Sequence, residues 1–209
     1  MRLPVVREGW PFILGPAVIA GGLWLAGRRR LALPFAAASL ASLGFFRDPE
    51  REVSALPNAV LAPADGTVTE VVEDADEFVG PAVRVSIFLS PLDVHVNRAP
   101  IGGLVVRTVY TPGQFLAAYR PEVGTVNERC AIHLQGETAR VTVVQIAGVV
   151  ARRIVCRVGA GDKVAAGQRF GMIRFGSRTD CYMPKGTEVR VSPADRVIAG
   201  VTVIGEMRA

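Results

Sequence analysis

The chain of 209 residues contains only two histidines, and they are the first candidates for acid–base chemistry. His95 lies in a run that also holds Asp93, Asn97 and Arg98 within six residues, bounded by two prolines. Polar side chains packed this densely among turn-forming residues are typical of a loop that presents a functional site. His133 alternates with apolar neighbours as a strand residue does, which makes it the weaker candidate for acid–base chemistry.

Several other kinds of site are excluded by the pattern of residues. The sequence contains no zinc-ligand spacing, no phosphate-binding loop of the Walker type and no dinucleotide-binding glycine fingerprint. Its three cysteines, Cys130, Cys156 and Cys181, are odd in number and widely spaced. This favours reduced thiols in a core over a disulfide framework, and we expect no metal site.

The first 46 residues are unusually apolar. Gly9 to Gly27 contains no charge over 19 residues, and Leu31 to Phe46 adds 16 more after Arg28, Arg29 and Arg30. Each run is at the short end of the roughly 17–25 residues that a membrane-spanning helix needs. We therefore predict a membrane-associated helical segment over residues 1–46, as either a two-helix hairpin or one span with an interfacial segment. The alternative is a buried helical hairpin in a soluble fold.

The charge distribution supports a membrane rather than a nucleic acid as the partner. The net charge is +5 and the isoelectric point about 9.6. Residues 1–46 carry +4 of this balance, and residues 47–209 are close to neutral. A basic excess beside the most apolar segment favours an anionic lipid surface.

From residue 47 onward the composition is that of strands and tight turns. We predict a mainly β domain over residues 47–209 with few short helices. A hairpin turn is predicted at Ala147-Gly148, and short helical turns at Pro91–Val96 and Gly113–Tyr119. The predicted strands are Ala59–Ala62, Thr67–Val72, Ala82–Leu89, Leu104–Tyr110, Ala139–Ile146, Ala151–Val158, Met172–Phe175 and Glu188–Val191.

Two segments resemble the turns of biotinyl- and lipoyl-type domains. Residues 62–68 (APADGTV) are similar to their opening strand and turn, and residues 161–171 (GDKVAAGQRFG) to their second turn. The resemblance implies a barrel-sandwich-like core. It does not define a function, because that architecture serves several chemistries.

Four motifs, taken in order, carry a more specific resemblance. They are residues 45–51 (FFRDPER), 63–66 (PADG), 93–100 (DVHVNRAP) and 175–180 (FGSRTD). Together they resemble the short, prokaryotic or archaeal-like form of the phosphatidylserine decarboxylase family, a group of pyruvoyl-dependent proenzymes. The resemblance runs from about Phe45 to the C-terminus.

The resemblance implies a chain that cuts itself between Gly176 and Ser177. The products are a β chain of residues 1–176 and an α chain of residues 177–209, which stay together as a heterodimer. Ser177 becomes a covalent pyruvoyl group that forms a Schiff base with the substrate, so neither pyridoxal phosphate nor a metal is needed. Phosphatidylserine is then decarboxylated to phosphatidylethanolamine at the cell membrane, with the catalytic domain in the cytoplasm.

The resemblance also implies roles for individual residues. His95 is the base for self-cleavage and the acid in decarboxylation, and Asp65 orients it. The long forms of the family carry a second histidine where this chain has Arg98. Either His95 therefore serves both steps or His133 takes one of them. Arg98 and Arg178 are candidate ligands of the substrate phosphodiester, because guanidinium groups suit phosphate oxygens.

Two other functions remain open at this stage. One is a membrane-tethered barrel-sandwich carrier or adaptor without catalysis, for which Lys163 and Lys185 are poorly placed as attachment sites. The other is a pyruvoyl-dependent decarboxylase of a soluble amino acid, which would leave the long uncharged N-terminus unexplained.

Overall fold

The structure, a computed structural model, describes residues 4–53, 58–118, 120, 122–149, 153–174 and 176–207. The chain divides into two units, Met1–Glu50 and Arg51–Ala209. The first is helical. The second is mainly β, which confirms the fold class predicted for the body of the chain.

The N-terminal unit is a pair of packed helices. Its elements are a 3₁₀ turn at Arg7–Gly9, helix α1 at Trp10–Leu25 and helix α2 at Arg29–Phe45. Gly27, with φ +75°, makes the sharp turn between the helices, and the Ser39 hydroxyl donates to the Ile13 carbonyl at 2.8 Å. Within the described part of the chain, neither these helices nor any other combine the length and apolarity needed to cross a membrane.

Both helices expose large apolar side chains. A helix on a protein core normally buries one apolar face and exposes polar groups on the other. Here only Ile13, Ala20, Ala32 and Phe45 are buried within the two helices. The exposed large apolar residues are Phe12, Leu14, Val18, Ile19, Trp24, Leu25, Leu31, Leu33, Phe35, Leu40 and Leu43.

The second unit is built from one large sheet and two small ones. The strands are β1 Ala59–Leu61, β2 Gly66–Asp76, β3 Gly80–Leu89, β4 Val96–Arg98, β5 Gly103–Thr111, β6 Arg129–Gln135, β7 Arg140–Ile146, β8 Ile154–Cys156, β9 Lys163–Val164, β10 Arg169–Ile173, β11 Ser177–Pro184, β12 Glu188–Val189, β13 Arg196–Val197 and β14 Val203–Glu206. The large sheet has the strand order β13-β2-β3-β11-β7-β6-β5-β9, and the small sheets are β1-β14-β12 and β4-β10-β8. The only helix among the described residues of this unit is α3, Val123–Val126.

Strand β11 runs through the middle of the large sheet, between β3 and β7. Ser177 pairs with Leu89 of β3, and Thr179 lies opposite Gln145 of β7. Because side chains alternate along a strand, Ser177 and Thr179 share a face with Cys181. This inner face and the small sheets enclose the apolar core, to which Val60, Val85, Ile87, Val143, Phe170, Cys181, Met183 and Ile204 belong.

The outer face of β11 is held by an ionic network. Arg178 donates to both carboxylate oxygens of Asp180, at 2.6 and 3.1 Å, and also to Ser86 and Glu70. Arg84 on β3 donates to the same two residues, Glu70 and Ser86. These contacts tie β11 to its neighbours from the side opposite the core.

The structure corrects several local predictions. Ala147-Gly148 does not close a hairpin, because β7 belongs to the large sheet and β8 pairs with β10 in a small sheet. The segment Ser90–Asp93 forms a turn rather than a helix, and the short helix after β5 is α3 instead of Gly113–Tyr119. Parts of the predicted strands at 151–158 and 172–175, and Tyr119, lie outside the described residues.

Gly66, in the predicted PADG turn, allows a close approach of two strands. Its φ is +153°, and a Cβ there would lie 2.1 Å from the Phe88 carbonyl oxygen. Gly80 also has a positive φ, +85°, but a Cβ there would meet open space.

We expect Gly66→Ala to lower the free energy of unfolding by more than about 3 kcal/mol, because it adds a backbone clash to an unfavourable φ. Gly80→Ala carries the φ penalty alone, about 1–2 kcal/mol. Urea denaturation of both variants beside the parent chain measures the difference. Equal losses would contradict the assigned clash.

Candidate active site

His95 lies at the peptide bond that the resemblance marks for cleavage. Its ring is fully buried, and its Nδ1 lies 2.9 Å from the Asp93 carbonyl oxygen. A carbonyl can only accept, so Nδ1 carries the proton and Nε2 is an acceptor. In agreement with this assignment, the Gly176 N–H donates to Nε2 at 3.3 Å. The imidazole thus presents a basic nitrogen one residue from Ser177.

Ser177 presents an unpaired hydroxyl in a closed site. The residue is fully buried, and its Oγ has no hydrogen-bond partner among the residues that the structure describes. An unpaired buried polar group costs about 1–3 kcal/mol, and such groups are concentrated at functional sites. Gly176 has φ +62°, a backbone conformation that favours glycine. Phe175, the first residue of the motif, lies outside the described residues.

The Gly176 carbonyl packs against a second glycine. A Cβ on Gly148 would lie 2.0 Å from the Gly176 carbonyl oxygen and 3.4 Å from the Ala118 Cβ. Gly148 therefore leaves the space that this carbonyl occupies. The fully buried Asn127 fixes the surroundings, because its Nδ2 donates to the carbonyl of Ala147 at 2.7 Å. The same side chain also binds the backbone N–H and carbonyl of Leu116.

A second row of polar side chains lies beside His95 and Ser177. Asn97 Nδ2 donates to the Thr179 hydroxyl at 3.2 Å, and Gln145 Nε2 donates to Asn97 Oδ1 at 2.8 Å. All three residues are fully buried. The other amide atom of Gln145, Oε1, has no partner among the described residues. The site therefore combines two unpaired polar atoms, Ser177 Oγ and Gln145 Oε1, on neighbouring strands.

Asp93 fixes the turn that orients His95. Its carboxylate accepts from the Ser90 backbone N–H at 2.8 Å and from the Arg196 guanidinium. Burial opposes ionisation of this carboxyl, but the hydrogen bonds from Arg196 and Ser90 hold its pKa below the usual range. The charged form therefore persists well into acidic solution, and it holds the backbone carbonyl that binds the imidazole.

Asp65, expected to orient His95, has other partners. Arg51 binds both of its carboxylate oxygens, at 2.5 and 2.7 Å, and the Ala199 N–H donates to Oδ1 at 2.9 Å. The structure thus pairs Asp65 with a cation from the first family motif, while the Asp93 backbone carbonyl accepts from His95 Nδ1. The orienting role of Asp65 stays a prediction.

The two candidate phosphate ligands point away from Ser177. Arg98 is buried and donates to the Gly167 carbonyl at 3.0 Å, on the opposite side of β4 from Asn97. Arg178 is bound in the ionic network on the outer face of β11. The structure therefore does not bring either guanidinium together with the cleavage site.

His133 also lies on the outer face of the large sheet. Its Nδ1 lies 2.9 Å from the Thr142 hydroxyl, which in turn donates to Asp76. It borders a cavity of about 270 Å³ that Asp180 and Tyr182 also line. Burial lowers the pKa of His133 and so favours the neutral ring at neutral pH. The two histidines are thus on opposite sides of one sheet.

Sequence reasoning missed Asn127, Gly148 and Gln145 as members of the site. One signal was available for Gln145, an uncharged polar residue inside the apolar run Val141–Ile146. The sequence indicates Gly148 only as a turn residue. Its role is to leave space for the Gly176 carbonyl, and that contact joins residues far apart in the chain. No local pattern distinguished Asn127 from a surface residue of a loop.

Comparisons with known proteins agree with the resemblance found in the sequence. The model of the family described as phosphatidylserine decarboxylase matches residues 40–205. A relative from Nitrosomonas europaea is 46% identical over 97% of this chain and 94% of its own length. Relatives from Burkholderia ambifaria and Symbiobacterium thermophilum are 44% and 48% identical, covering 97% and 99% of this chain and 96% and 98% of their own lengths. Each of the three is named phosphatidylserine decarboxylase proenzyme.

The geometry describes a β-rich chain with a serine, a glycine carbonyl and a basic imidazole assembled at one internal peptide bond. The chain belongs to the phosphatidylserine decarboxylase family.

The contact between Gly148 and Gly176 predicts the effect of one added methyl group. Gly148→Ala should slow cleavage at Gly176-Ser177 at least about tenfold, since displacement of a reacting group by about 1 Å can reduce a rate about a hundredfold. The matched control is Gly159→Ala, where a Cβ meets nothing within 4 Å. The fraction of cut chain, followed by mass spectrometry after synthesis, provides the measurement. Normal maturation of Gly148→Ala would show that this contact does not position the carbonyl.

Proposed function

We propose that this protein is a self-processing proenzyme that decarboxylates phosphatidylserine to phosphatidylethanolamine. The observation that carries the proposal is the contact of His95 Nε2 with the Gly176 N–H beside the buried hydroxyl of Ser177, which has no partner among the described residues. The relatives are named as proenzymes of that activity. The family relationship favours this function over a non-catalytic carrier and over a decarboxylase of a soluble amino acid.

Self-cleavage begins with attack of Ser177 Oγ on the Gly176 carbonyl carbon. The hydroxyl proton passes to His95 Nε2, and the amide C–N bond breaks as its nitrogen takes up a proton, which leaves an ester. Loss of the Ser177 Cα proton then expels the Gly176 carboxylate and ends the β chain at residue 176. Addition of water and loss of ammonia leave a ketone at residue 177. General-base assistance of this kind contributes about 10²–10⁴-fold.

The residues present fit a pyruvoyl group at position 177. The position is enclosed, its hydroxyl is unpaired, and the basic nitrogen of His95 is adjacent. The group, once formed, supplies an electron sink for the departure of carbon dioxide. His95 holds and returns the proton that the α-carbon of the substrate needs afterwards. Burial of the ring keeps bulk water away from this proton transfer.

Strand pairing would keep the two products of cleavage together. The α chain, residues 177–209, contributes β11 between β3 and β7 of the β chain. It also contributes β13, which pairs with β2, and β14, which pairs with β1. We therefore propose a heterodimer of the two chains, organised around a barrel-sandwich-like core. Phosphate binding by Arg98 and Arg178 stays a prediction, because both guanidiniums bind other groups of the protein.

The two histidines provide a matched test of the cleavage mechanism. His95→Gln should slow self-cleavage about a hundredfold or more, because it removes the base at the scissile bond. His133→Gln, on the opposite face of the sheet, should cleave at the parent rate. Ser177→Ala should remain a single chain of 22.3 kDa.

Intact mass and gel electrophoresis read out all three variants, and reaction with a carbonyl reagent detects the ketone at residue 177. A parent protein that decarboxylates phosphatidylserine while still uncut would overturn the proposal. If His133→Gln folds but does not cleave itself, the base for cleavage would be His133 rather than His95.

The helical unit is proposed to attach the protein to the membrane. Its exposed side chains are largely apolar, with Leu25 90% exposed and Leu31 55% exposed on either side of three arginines. The guanidinium of Arg29 lies 5.1 Å from the centre of the Trp24 ring, an arrangement suited to a membrane interface. Arginines among apolar side chains favour a bilayer that contains anionic lipids. Placement at the cell membrane, with the catalytic unit in the cytoplasm, stays a prediction.

Replacement of Arg28, Arg29 and Arg30 by glutamine should weaken binding to anionic vesicles about a hundredfold, at about 1 kcal/mol per cation. Leu25→Glu should weaken binding to neutral vesicles as well, because it places a charge on an apolar surface. Val106→Glu, an exposed position on β5 of the other unit, is the control. Sedimentation with vesicles of stated composition measures each effect. Unchanged binding of the arginine variant in low salt would contradict the electrostatic contribution.

A further inference from the structure

Gln145 is an isolated polar side chain on the inner face of strand β7. Val141 and Val143 share that face and belong to the apolar core, while Gln145 is fully buried beside them. A Cβ on Gly171, from the opposite sheet, would lie 3.0 Å from Gln145 Nε2. The amide nitrogen therefore lies close to Gly171 across the core, and the orientation of the amide follows from its neighbours.

The neighbours determine which atom of the amide is unpaired. Asn97 Nδ2 lies 3.4 Å from the Pro63 carbonyl oxygen, which can only accept, so this end of Asn97 must be the donor. Asn97 Oδ1 is then the atom 2.8 Å from Gln145, and it requires Gln145 to present Nε2. What remains is Gln145 Oε1, an acceptor without a partner among the described residues.

The position of this acceptor relates it to residue 177. Gln145 lies directly opposite Thr179, and Ser177 is two residues further along the same face of β11. Diagonal neighbours of this kind have backbones about 7–8 Å apart, a gap that a long side chain bridges. Gln145 and Ser177 thus project from the same face of neighbouring strands, and neither Gln145 Oε1 nor Ser177 Oγ has a hydrogen-bond partner among the described residues.

We propose that Gln145 Oε1 accepts a hydrogen bond from the amino nitrogen of the substrate headgroup as that nitrogen reaches residue 177. The inference rests on the proposed function. An acceptor needs a donor, and at neutral pH the amine is the only hydrogen-bond donor of a phosphoserine headgroup, because its carboxylate and phosphodiester only accept. Gln145 binds and orients the nitrogen, whereas His95 moves protons.

Equilibrium binding to the cleaved enzyme tests the contact apart from turnover. The probes are dihexanoyl phosphatidyl-N,N-dimethylethanolamine, whose protonated tertiary amine donates one N–H but cannot condense with the ketone, and dihexanoyl phosphatidylcholine, whose quaternary nitrogen cannot donate. Calorimetry gives the ratio of their dissociation constants. We expect Gln145→Met, which keeps the length of the side chain, to reduce the preference for the dimethylethanolamine lipid about ten- to hundredfold. Its affinity for phosphatidylcholine should be unchanged.

Two further variants make the result specific. Gln135→Met makes the same substitution on β6, where the side chain binds the Gly136 carbonyl, and it should keep the parent preference. Gln145→Glu should also keep the preference. A carboxyl in this apolar environment stays protonated, donates to Asn97 Oδ1 and presents its other oxygen in place of Oε1.

An equal preference in the parent and in Gln145→Met would overturn the inference. So would failure of Gln145→Met and Gln145→Glu to self-cleave while Gln135→Met cleaves normally, since Gln145 would then serve folding rather than the headgroup. The mass of the parent chain separates this result from failure of the proposed function. An uncut parent without a ketone at residue 177 refutes the function, whereas a cut parent with unaltered binding in the variants refutes only the role of Gln145.

Discussion

Under the proposed function, Ser177 attacks the carbonyl of its neighbour Gly176, and that constraint governs the site around them. The peptide must turn sharply between them, and Gly176 provides the turn with φ +62°. The carbonyl then needs space, which Gly148 leaves open, and the hydroxyl needs a base, for which we propose His95 Nε2, the atom bound by the Gly176 N–H. Each requirement is met by a different part of the chain, so cleavage depends on a completed tertiary structure.

Two different kinds of interaction stabilise the two faces of the sheet around this peptide bond. On the inner face, apolar side chains fill the space between sheets, and the few polar groups among them are uncharged. On the outer face, Arg84 and Arg178 share acidic partners across three strands. The ion pair between Asp93 and Arg196 stabilises the turn beside the imidazole. Because the pKa of Asp93 is lowered, this ion pair is lost only when the pH falls through that lowered pKa. Fixed charges therefore hold the strands in register, while the reacting groups stay in an environment of low polarity.

The sequence predicted local structure better than it predicted which residues meet. Short runs of Val, Ile and Thr indicated most of the long strands, because a half-buried strand has that composition. The order of strands was out of reach, since β11 pairs with segments about 30 and 90 residues earlier in the chain. The same limitation applies to His95, because the Asp93 backbone carbonyl that binds its Nδ1 could not be identified from the sequence. Backbone groups are present at every residue, so composition cannot single one out.

Strand β11 begins at Ser177, the residue that becomes a new chain terminus in the proposed cleavage. Before the cut, its insertion between β3 and β7 is an intramolecular event, helped by the tether through Gly176. After the cut, the same insertion joins two separate molecules, and recovery from denaturation becomes dependent on protein concentration. The proenzyme can therefore be a reversible folder while the mature enzyme persists mainly through slow unfolding. Under the proposed function, the step that creates the reactive group also removes the covalent route back to the native state.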